Sequence, residues 1–200
     1  MPESLIEYAR WVVDALEAAQ VDYLLGGSLA LVAWGEPRAT VDIDLVVNLP
    51  VEQMARFADE LARRDILLPP DLMLDLFMQD KGDVALVAYH TLAGFKAELF
   101  MLRAGDDLRA SALARRTLVD LGPPLGAVYL HSPEDLILYK LQYYQVSEQT
   151  KHTRDILSIL LARGAALDFA YLDHWIERLK LGRIWRAMLT EARRRGAALH

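Results

Sequence analysis

The chain contains no cysteine, which excludes disulfide bonds, thiolate metal ligands and a cysteine nucleophile. It also lacks any apolar run of the ~20 residues that a membrane-spanning helix needs, because charges interrupt the apolar stretches every few residues. The N-terminal segment carries acids where a secretory signal has bases, and it has no small-residue cleavage site. We therefore expect a soluble cytoplasmic protein that makes no membrane contact.

Positive charge is scarce as well. The chain has 22 Lys and Arg against 28 Asp and Glu, a formal net charge of −6 at pH 7. This balance argues against a protein whose whole surface binds nucleic acid, since phosphate binding needs clustered cations, but it leaves room for a local basic groove. The length and the 54% hydrophobic content indicate one folded domain, or a small catalytic domain with a helical extension.

Apolar periodicity predicts an α+β fold, in which helices flank a β-sheet. We expect a core at 1–130 and a helical C-terminal subdomain at 131–200 packed on that core. Ser132 should cap the first helix of the subdomain, with Pro133 at its first position. The predicted helices are 3–20, 28–35, 51–64, 70–79, 106–115, 133–146, 151–163, 168–180 and 183–195. The predicted strands are 22–25, 41–47, 84–90, 95–102, 117–121 and 126–130.

The segment around the first two strands combines two features of ligand-binding sites. Gly26-Gly27-Ser28 before a helix would present backbone N–H groups to an anion. Asp42 and Asp44 on one face of a strand, roughly 6–7 Å apart, would attract a hard cation such as Mg²⁺. Each feature alone has an ordinary explanation, since Gly-Gly turns end many strands and paired carboxylates fit the solvent face of an edge strand. Together they predict a nucleotide–metal site.

The sequence GGSLALVAWGEPRATVDIDLVV resembles the signature of the polymerase β-like nucleotidyltransferase superfamily, in which G-[GS]-S is followed by D-x-D or D-x-E. Arg38 and Thr40 ahead of Asp42 are similar to the branch of AbiEii-type nucleotidyltransferases and related small bacterial proteins. The resemblance covers roughly 20–163, is sharp only at 26–47, and implies the nucleotidyltransferase type of mixed sheet. It assigns nucleotide binding to Gly26, Gly27, Ser28, Arg38 and Thr40.

That superfamily also has a third carboxylate on a later strand. The segment GFKAELFML at 94–102 is similar to its G-x-K-x-D-L-F pattern, and Glu98 stands where Asp is usual. Strand alternation places Lys96 and Glu98 on one face. The resemblance implies that Asp42, Asp44 and Glu98 are the catalytic and metal-binding residues. The extra methylene of Glu98 is a departure, because it moves the carboxylate outward.

The C-terminal helices extend the resemblance through HSPEDLILYKLQYY and KHTRDILSIL. By this likeness Lys140 and Lys151 contact phosphate, and Asp155 orients a lysine. The residues themselves leave alternatives open. Lys140 lies on an apolar stripe, where it either snorkels to solvent or meets an anion. Lys151 and Asp155 are four residues apart on a helix, so a surface ion pair explains them equally well.

The resemblance implies a metal-dependent enzyme that moves a nucleoside monophosphate from an NTP such as ATP to an acceptor hydroxyl, with two Mg²⁺ about 4 Å apart. The acceptor stays open: tRNA, as for a toxin of a toxin–antitoxin system, a protein, or a small molecule. A positive rim around Asp42 would favour RNA, and an acidic or narrow rim a small acceptor. The rival hypothesis, motivated by Glu98 and the overall acidity, is a non-catalytic nucleotide- or partner-binding module on a degenerate nucleotidyltransferase fold.

Overall fold

The structure of the chain, a computed structural model, describes residues 1–79 and 84–199. Helices and strands alternate up to residue 130, and helices follow. The strands are β1 (Asp22–Leu25), β2 (Ile43–Asn48), β3 (Ile66–Leu67), β4 (Leu86–His90), β5 (Lys96–Met101), β6 (Thr117–Asp120) and β7 (Ala127–Leu130). The α-helices are α1 (Leu5–Ala18), α2 (Gly27–Trp34), α3 (Val51–Ala62), α4 (Pro70–Met78), α5 (Asp107–Ala114), α6 (Pro133–Ser147), α7 (Thr150–Arg163), α8 (Phe169–Arg178) and α9 (Gly182–Arg194).

The chain divides into two compact units. The first contains Met1–Ser28 and Ala39–Leu130, and the second contains Leu29–Arg38 together with the chain from His131 onward. The strands β1 to β7 lie in the first unit, and α6 to α9 lie in the second. The helix α2 begins in the first unit and continues into the second. The division into a core at 1–130 and a subdomain at 131–200 stays a prediction.

The first unit is built on a seven-stranded sheet with the order β3-β4-β5-β2-β1-β7-β6. The pairs β2–β5 and β1–β7 are parallel, and the remaining neighbours are antiparallel. This confirms the predicted α+β class with a mixed sheet. β2 and β5 are neighbours although α3, β3, α4 and β4 separate them in sequence. That crossover connection places β2, which carries Asp44, directly beside β5.

The helix α1 packs against one face of this sheet. The hydroxyl of Tyr8 donates a hydrogen bond to the carbonyl of Ala88 in β4 at 2.7 Å. Burial of each large apolar side chain contributes roughly 1.5–3 kcal/mol, so this stripe anchors the helix to the sheet. The stripe consists of Tyr8, Val12, Val13 and Leu16, all fully buried.

Strand β5 shows the alternation that its sequence predicts. Ala97, Leu99 and Met101 are buried, whereas Lys96 and Glu98 are partly exposed on the opposite face. A two-residue period in a strand has this consequence whenever one face is packed. β4 pairs antiparallel with β5, so these two consecutive strands form a hairpin.

The predicted strand 41–47 begins two residues later than expected, at Ile43. The backbone of Asp42 is held by Thr40 instead, because Thr40 Oγ1 donates to the Asp42 carbonyl at 3.0 Å and accepts from its N–H at 3.3 Å. Threonine hydroxyls compete with the sheet ladder for such backbone groups. The placement of Asp42 within the strand is therefore wrong. The sequence pattern also misses β3, because two residues cannot show alternation.

The second unit is helical. Ser132 caps α6, since its hydroxyl accepts a hydrogen bond from the N–H of Asp135 at 3.1 Å, and Pro133 is the first helical residue. Both features are confirmed as predicted. Leu141 of α6 and Ile156 of α7 are fully buried, and these two helices pack against each other. Among residues 1–79 and 84–199, no helix has the length and apolar character needed to cross a membrane.

Candidate active site

Strand β2 and the turn before it present two carboxylates. Ile43, Leu45 and Val47 are buried, and their alternation fixes Asp44 on the opposite face of the sheet. Asp42 lies just ahead of the strand, and the hydroxyl of Thr40 holds its backbone. The strand therefore positions Asp44, and a turn stabilised by the Thr40 side chain positions Asp42.

Glu98 lies beside Asp44 on the neighbouring strand. In the parallel β2–β5 pair, Asp44 is in register with Glu98 and Ile43 is in register with Ala97. Paired strands are separated by about 4.8 Å, and residues in register point to the same face. The third predicted carboxylate is thus adjacent to the second, although 54 positions separate them in the chain (98 − 44).

Gly27, the first residue of α2, lies directly against the Asp44 carboxylate. A Cβ atom built on Gly27 would be 1.8 Å from Asp44 Oδ2, which no side chain can tolerate, and the φ of Gly27 is +55°. Positive φ and lack of space both require glycine at this position. The structure thereby brings the start of the helix and the carboxylate of β2 into contact.

The two glycines have different backbone roles. The N–H of Gly26 donates to the carbonyl of Asp44 at 2.8 Å, so this amide is used within the sheet and fixes the turn against β2. The N–H groups of the first turn of α2, from Gly27 and Ser28 onward, have no acceptor within the helix. The helix dipole adds partial positive charge at the same place. Ser28 is itself buried.

Lys96 is a member of this cluster that the sequence analysis did not assign. Its Nζ lies 2.9 Å from Asp42 Oδ1 and 3.3 Å from Glu98 Oε1. The three side chains are 31–43% exposed. Hydrogen bonds to Asp42 and then Glu98 raise the pKa of Lys96 above its ordinary value, so its ammonium stays charged. Its position two residues before Glu98 on a strand was the signal that could have identified it.

The donor atoms here fit a hard divalent cation in type, because Asp42, Asp44 and Glu98 offer only carboxylate oxygens. Their arrangement fits less well. Within the described ranges, no group of three or more His, Cys, Asp or Glu side chains is placed to hold a metal ion. The Lys96 ammonium already contacts two of the three carboxylates. A cation could join all three only if that ammonium moved away.

The remaining predicted site residues lie in the second unit, which also contains the end of α2. The indole Nε1 of Trp34 donates to the carbonyl of His131 at 2.8 Å. A Cβ on Gly35 would be 2.4 Å from Ser158 Oγ of α7, so only glycine allows this close approach. These contacts hold the segment that continues to Arg38 against α7.

Arg38, Lys140 and Asp155 form a buried ion cluster in this unit. Lys140 Nζ lies 2.6 Å from Asp155 Oδ2, and these two side chains are 5% and 2% exposed. The Nε of Arg38 is 3.1 Å from both oxygens of the same carboxylate. Of the two alternatives for Lys140, the structure therefore shows contact with an anion, the carboxylate of Asp155. The partners of Asp155 are Lys140 and Arg38, and Lys151 is exposed.

His152 lies next to Lys151 and stacks on Tyr143, with ring centroids 5.8 Å apart. Burial, and after it the positive charges of Lys140 and Lys151, lower the pKa of His152 to about 4. The imidazole is consequently neutral at pH 7. It can act there as a packing group or a hydrogen-bonding group, but it carries no charge toward a phosphate.

An uncharged row flanks the carboxylates on the face of β3 and β4. Val87 is in register with Glu98, Tyr89 with Lys96, and Leu67 with Tyr89. All three side chains are exposed. A molecule that approached Glu98 from this side would meet apolar carbon and one aromatic ring.

The fold matches that of solved nucleotidyltransferases. The solution structure of the antibiotic-resistance factor ANT(2'')-Ia has a TM-score of 0.62 at 16% identity, over 94% of this chain and 99% of that chain. A nucleotidyltransferase-like antigenic protein from Paracoccidioides brasiliensis has a TM-score of 0.55 at 19% identity, over 96% and 93%. The crystal structure of ANT(2'')-Ia in complex with adenylyl-2''-tobramycin has a TM-score of 0.53 at 14% identity, over 93% and 97%.

No protein-family model matches the chain, and no curated protein matches it significantly. At identities of 14–19%, the likeness to the solved structures establishes the fold. The chain therefore has the nucleotidyltransferase fold that the resemblance implies.

Proposed function

We propose that this protein is a metal-dependent nucleotidyltransferase that moves a nucleoside monophosphate from an NTP to an acceptor hydroxyl. The observation that carries the proposal is the contact between the start of α2 and β2, where Gly27 has no room for a Cβ because of the Asp44 carboxylate. An anion-binding helix start is thereby joined to a carboxylate pair that suits a hard cation. A third carboxylate, Glu98, stands in register beside Asp44.

The roles follow from the chemistry of the residues. The amides of Gly27 and Ser28 bind the donor phosphates. Asp42 and Asp44 would hold a divalent metal, while Glu98 stays paired with the Lys96 ammonium. Such a metal, when bound, polarises the phosphoryl group and neutralises charge on the phosphates. Glu98 receives the proton of the acceptor hydroxyl. The acceptor oxygen then bonds to the α-phosphorus, and the bond from that phosphorus to the bridging oxygen breaks. Pyrophosphate leaves with the electron pair.

The residues of the second unit enter the proposal through the resemblance alone. By it, Arg38, Lys140 and Lys151 contact the nucleotide, and Asp155 orients a lysine. The 2.6 Å ion pair between Asp155 and Lys140 is what such an orienting role requires. Thr40 belongs to the carboxylate site of the first unit, because its hydroxyl holds the backbone of Asp42.

The exposed uncharged side chains beside the carboxylates favour one kind of acceptor. It is a small hydroxyl compound with an apolar or planar face. Val87, Tyr89 and Leu67 beside the carboxylates carry no charge. RNA binding depends on clustered cations, and the cation at this position, Lys96, already contacts two carboxylates. The AbiEii-type resemblance supports the other acceptor, tRNA, and with it a toxin role.

The test is transfer of label from each α-³²P NTP into a cell extract that is afterwards separated into RNA, protein and small molecules. We expect pyrophosphate release together with label in the small-molecule fraction. Asp42→Ala should abolish both, and Asp75→Ala, an exposed acid on α4, is the control that should keep them. Full transfer by Asp42→Ala would refute the site. NTP binding without pyrophosphate release and without label in any fraction would favour the non-catalytic module. Label in the RNA fraction would favour the tRNA-modifying toxin.

A further inference from the structure

The carboxylate cluster already contains a cation that belongs to the chain. The Lys96 ammonium is 2.9 Å from Asp42 Oδ1 and 3.3 Å from Glu98 Oε1. Both distances are those of direct ion pairs. Asp42 and Glu98 come from different elements, so Lys96 is the group that joins the turn before β2 to β5 at this face.

A lysine is needed there for an electrostatic reason. Two carboxylates that converge on one point repel each other, and the repulsion is relieved only by a cation or by protonation. Lys96 and Glu98 share one face of β5 by strand alternation, so the two side chains lie on the same side of the sheet.

A metal ion shared by Asp42 and Glu98 would compete with this ammonium. Mg²⁺ binds carboxylate oxygens at about 2.1 Å. An ion on Asp42 Oδ1, which is 2.9 Å from Lys96 Nζ, would thus lie no more than about 5 Å from Nζ (2.9 + 2.1). A divalent cation and an ammonium at that distance repel each other strongly. The pair Asp42 and Glu98 therefore accommodates either the ammonium or a second metal ion.

We propose that Lys96 is the acceptor-side cation of this site, and that the chain binds one divalent cation with its nucleotide where a two-metal arrangement would bind two. This inference rests on the proposed function. Lys96 holds Glu98 and Asp42 together and supplies fixed positive charge next to the carboxylate that faces the acceptor. In this role Lys96 is a positioning residue that acts through Glu98.

The stoichiometry of Mn²⁺ tests the inference without any turnover. Free Mn²⁺ is counted by electron paramagnetic resonance during titration of the protein, saturated with the α,β-methylene analogue of whichever NTP binds. We expect one Mn²⁺ per chain for the wild type. Lys96→Met, which keeps the length of the side chain and removes the charge, should bind two. Lys96→Arg, which keeps the charge, should bind one.

Lys180→Met, which removes an exposed lysine of the second unit, is the control for the loss of one positive charge and should also bind one. A thermal unfolding curve for each variant shows that it is folded under the conditions of the titration. Two Mn²⁺ on the wild type, or one on folded Lys96→Met, would overturn the role of Lys96 while leaving the transferase proposal standing. If no analogue binds to the wild type with Mn²⁺, both the proposed function and this inference fail.

Discussion

The two charged clusters of this protein differ in how far water reaches them. In the first unit, Asp42, Lys96 and Glu98 are each about one-third to two-fifths exposed. In the second unit, Lys140 and Asp155 are almost completely buried. Ion pairs in contact with water are worth about 0–1 kcal/mol, whereas loss of one partner of a buried pair costs about 3–5 kcal/mol. The first cluster therefore contributes little to stability, and the second cluster is part of what keeps its unit folded.

The largest effect that this comparison predicts concerns Asp44→Asn. The substitution keeps the shape that fits against Gly27 but removes the charge, so we expect transfer to fall on the order of 10³-fold, equivalent to about 4 kcal/mol. The free energy of unfolding should change by less than about 1 kcal/mol. Steady-state kinetics and urea denaturation measure the two quantities. Asp75→Asn on the exposed side of α4 is the matched control, and a fall in stability of several kcal/mol for Asp44→Asn would break the comparison.

For Asp155→Ala in the second cluster, we expect a large fall in the free energy of unfolding. The substitution leaves the buried Lys140 ammonium and Arg38 without this carboxylate, so the free energy of unfolding should drop by about 3–5 kcal/mol. Urea denaturation followed by circular dichroism measures the change. The double variant Asp155→Ala with Lys140→Met should recover part of the loss, because the buried charge is removed as well. A loss below about 1 kcal/mol for Asp155→Ala would show that burial does not distinguish the clusters.

A third prediction sharpens the role of backbone shape in the first cluster. Gly27→Ala should cost about 2–4 kcal/mol, because its Cβ meets Asp44 Oδ2 and its φ is +55°. It should also weaken NTP binding. Gly126→Ala separates the two causes, since Gly126 has a φ of +70° but no atom within 4 Å of the place where a Cβ would lie. This control should cost only about 1 kcal/mol, and equal losses for both variants would exclude the contact with Asp44 as the cause.

The smallest expected effect is a pH dependence in the second unit. His152 has a pKa of about 4 in the folded chain, against an ordinary 6.5, so the unfolded chain binds a proton between these values and the folded chain does not. Stability should consequently fall as the pH drops from 7 toward 4. The side chain is partly exposed, which reduces the size of this effect. Urea denaturation at pH 7 and pH 5 checks it, and His152→Phe should show a smaller fall. An identical fall for the variant would assign the pH dependence to other groups.

Much of the local structure was predictable because it depends on short-range patterns. Ser132 with Pro133 specified the start of α6, and the alternation of Ala97 and Leu99 specified the faces of β5. These features depend on periods of two or about four residues and on caps within one turn. The start of β2 was predicted wrongly since the hydroxyl of Thr40 competes with the ladder, a local bond that hydrophobic pattern does not reveal.

The candidate site was predictable in its residue types but not in its pairings. The Gly-Gly-Ser turn and the Asp42–Asp44 spacing indicate the chemistry by themselves, because a bare helix start and adjacent carboxylates suit phosphate and a hard cation. The sequence offered an ion pair of Asp155 with Lys151 and did not specify which lysine Asp155 orients, whereas the structure pairs Asp155 with Lys140. Lys96 was not assigned at all. Ion pairs depend on which side chains meet, and sequence spacing limits that only within a single helix or strand.

The sequence by itself determined most of the helices and strands of this protein, with β3 and the start of β2 as exceptions. It also determined the glycine start of α2 and the carboxylates near β2, since each follows from residues close together in the chain. Tertiary structure alone decided that Asp44 lies against Gly27 and in register with Glu98, and that Lys96 joins Asp42 to Glu98. The physical reason is the parallel pairing of β2 with β5. That pairing results from burial of both strands in one sheet, and no pattern within either strand specifies its partner.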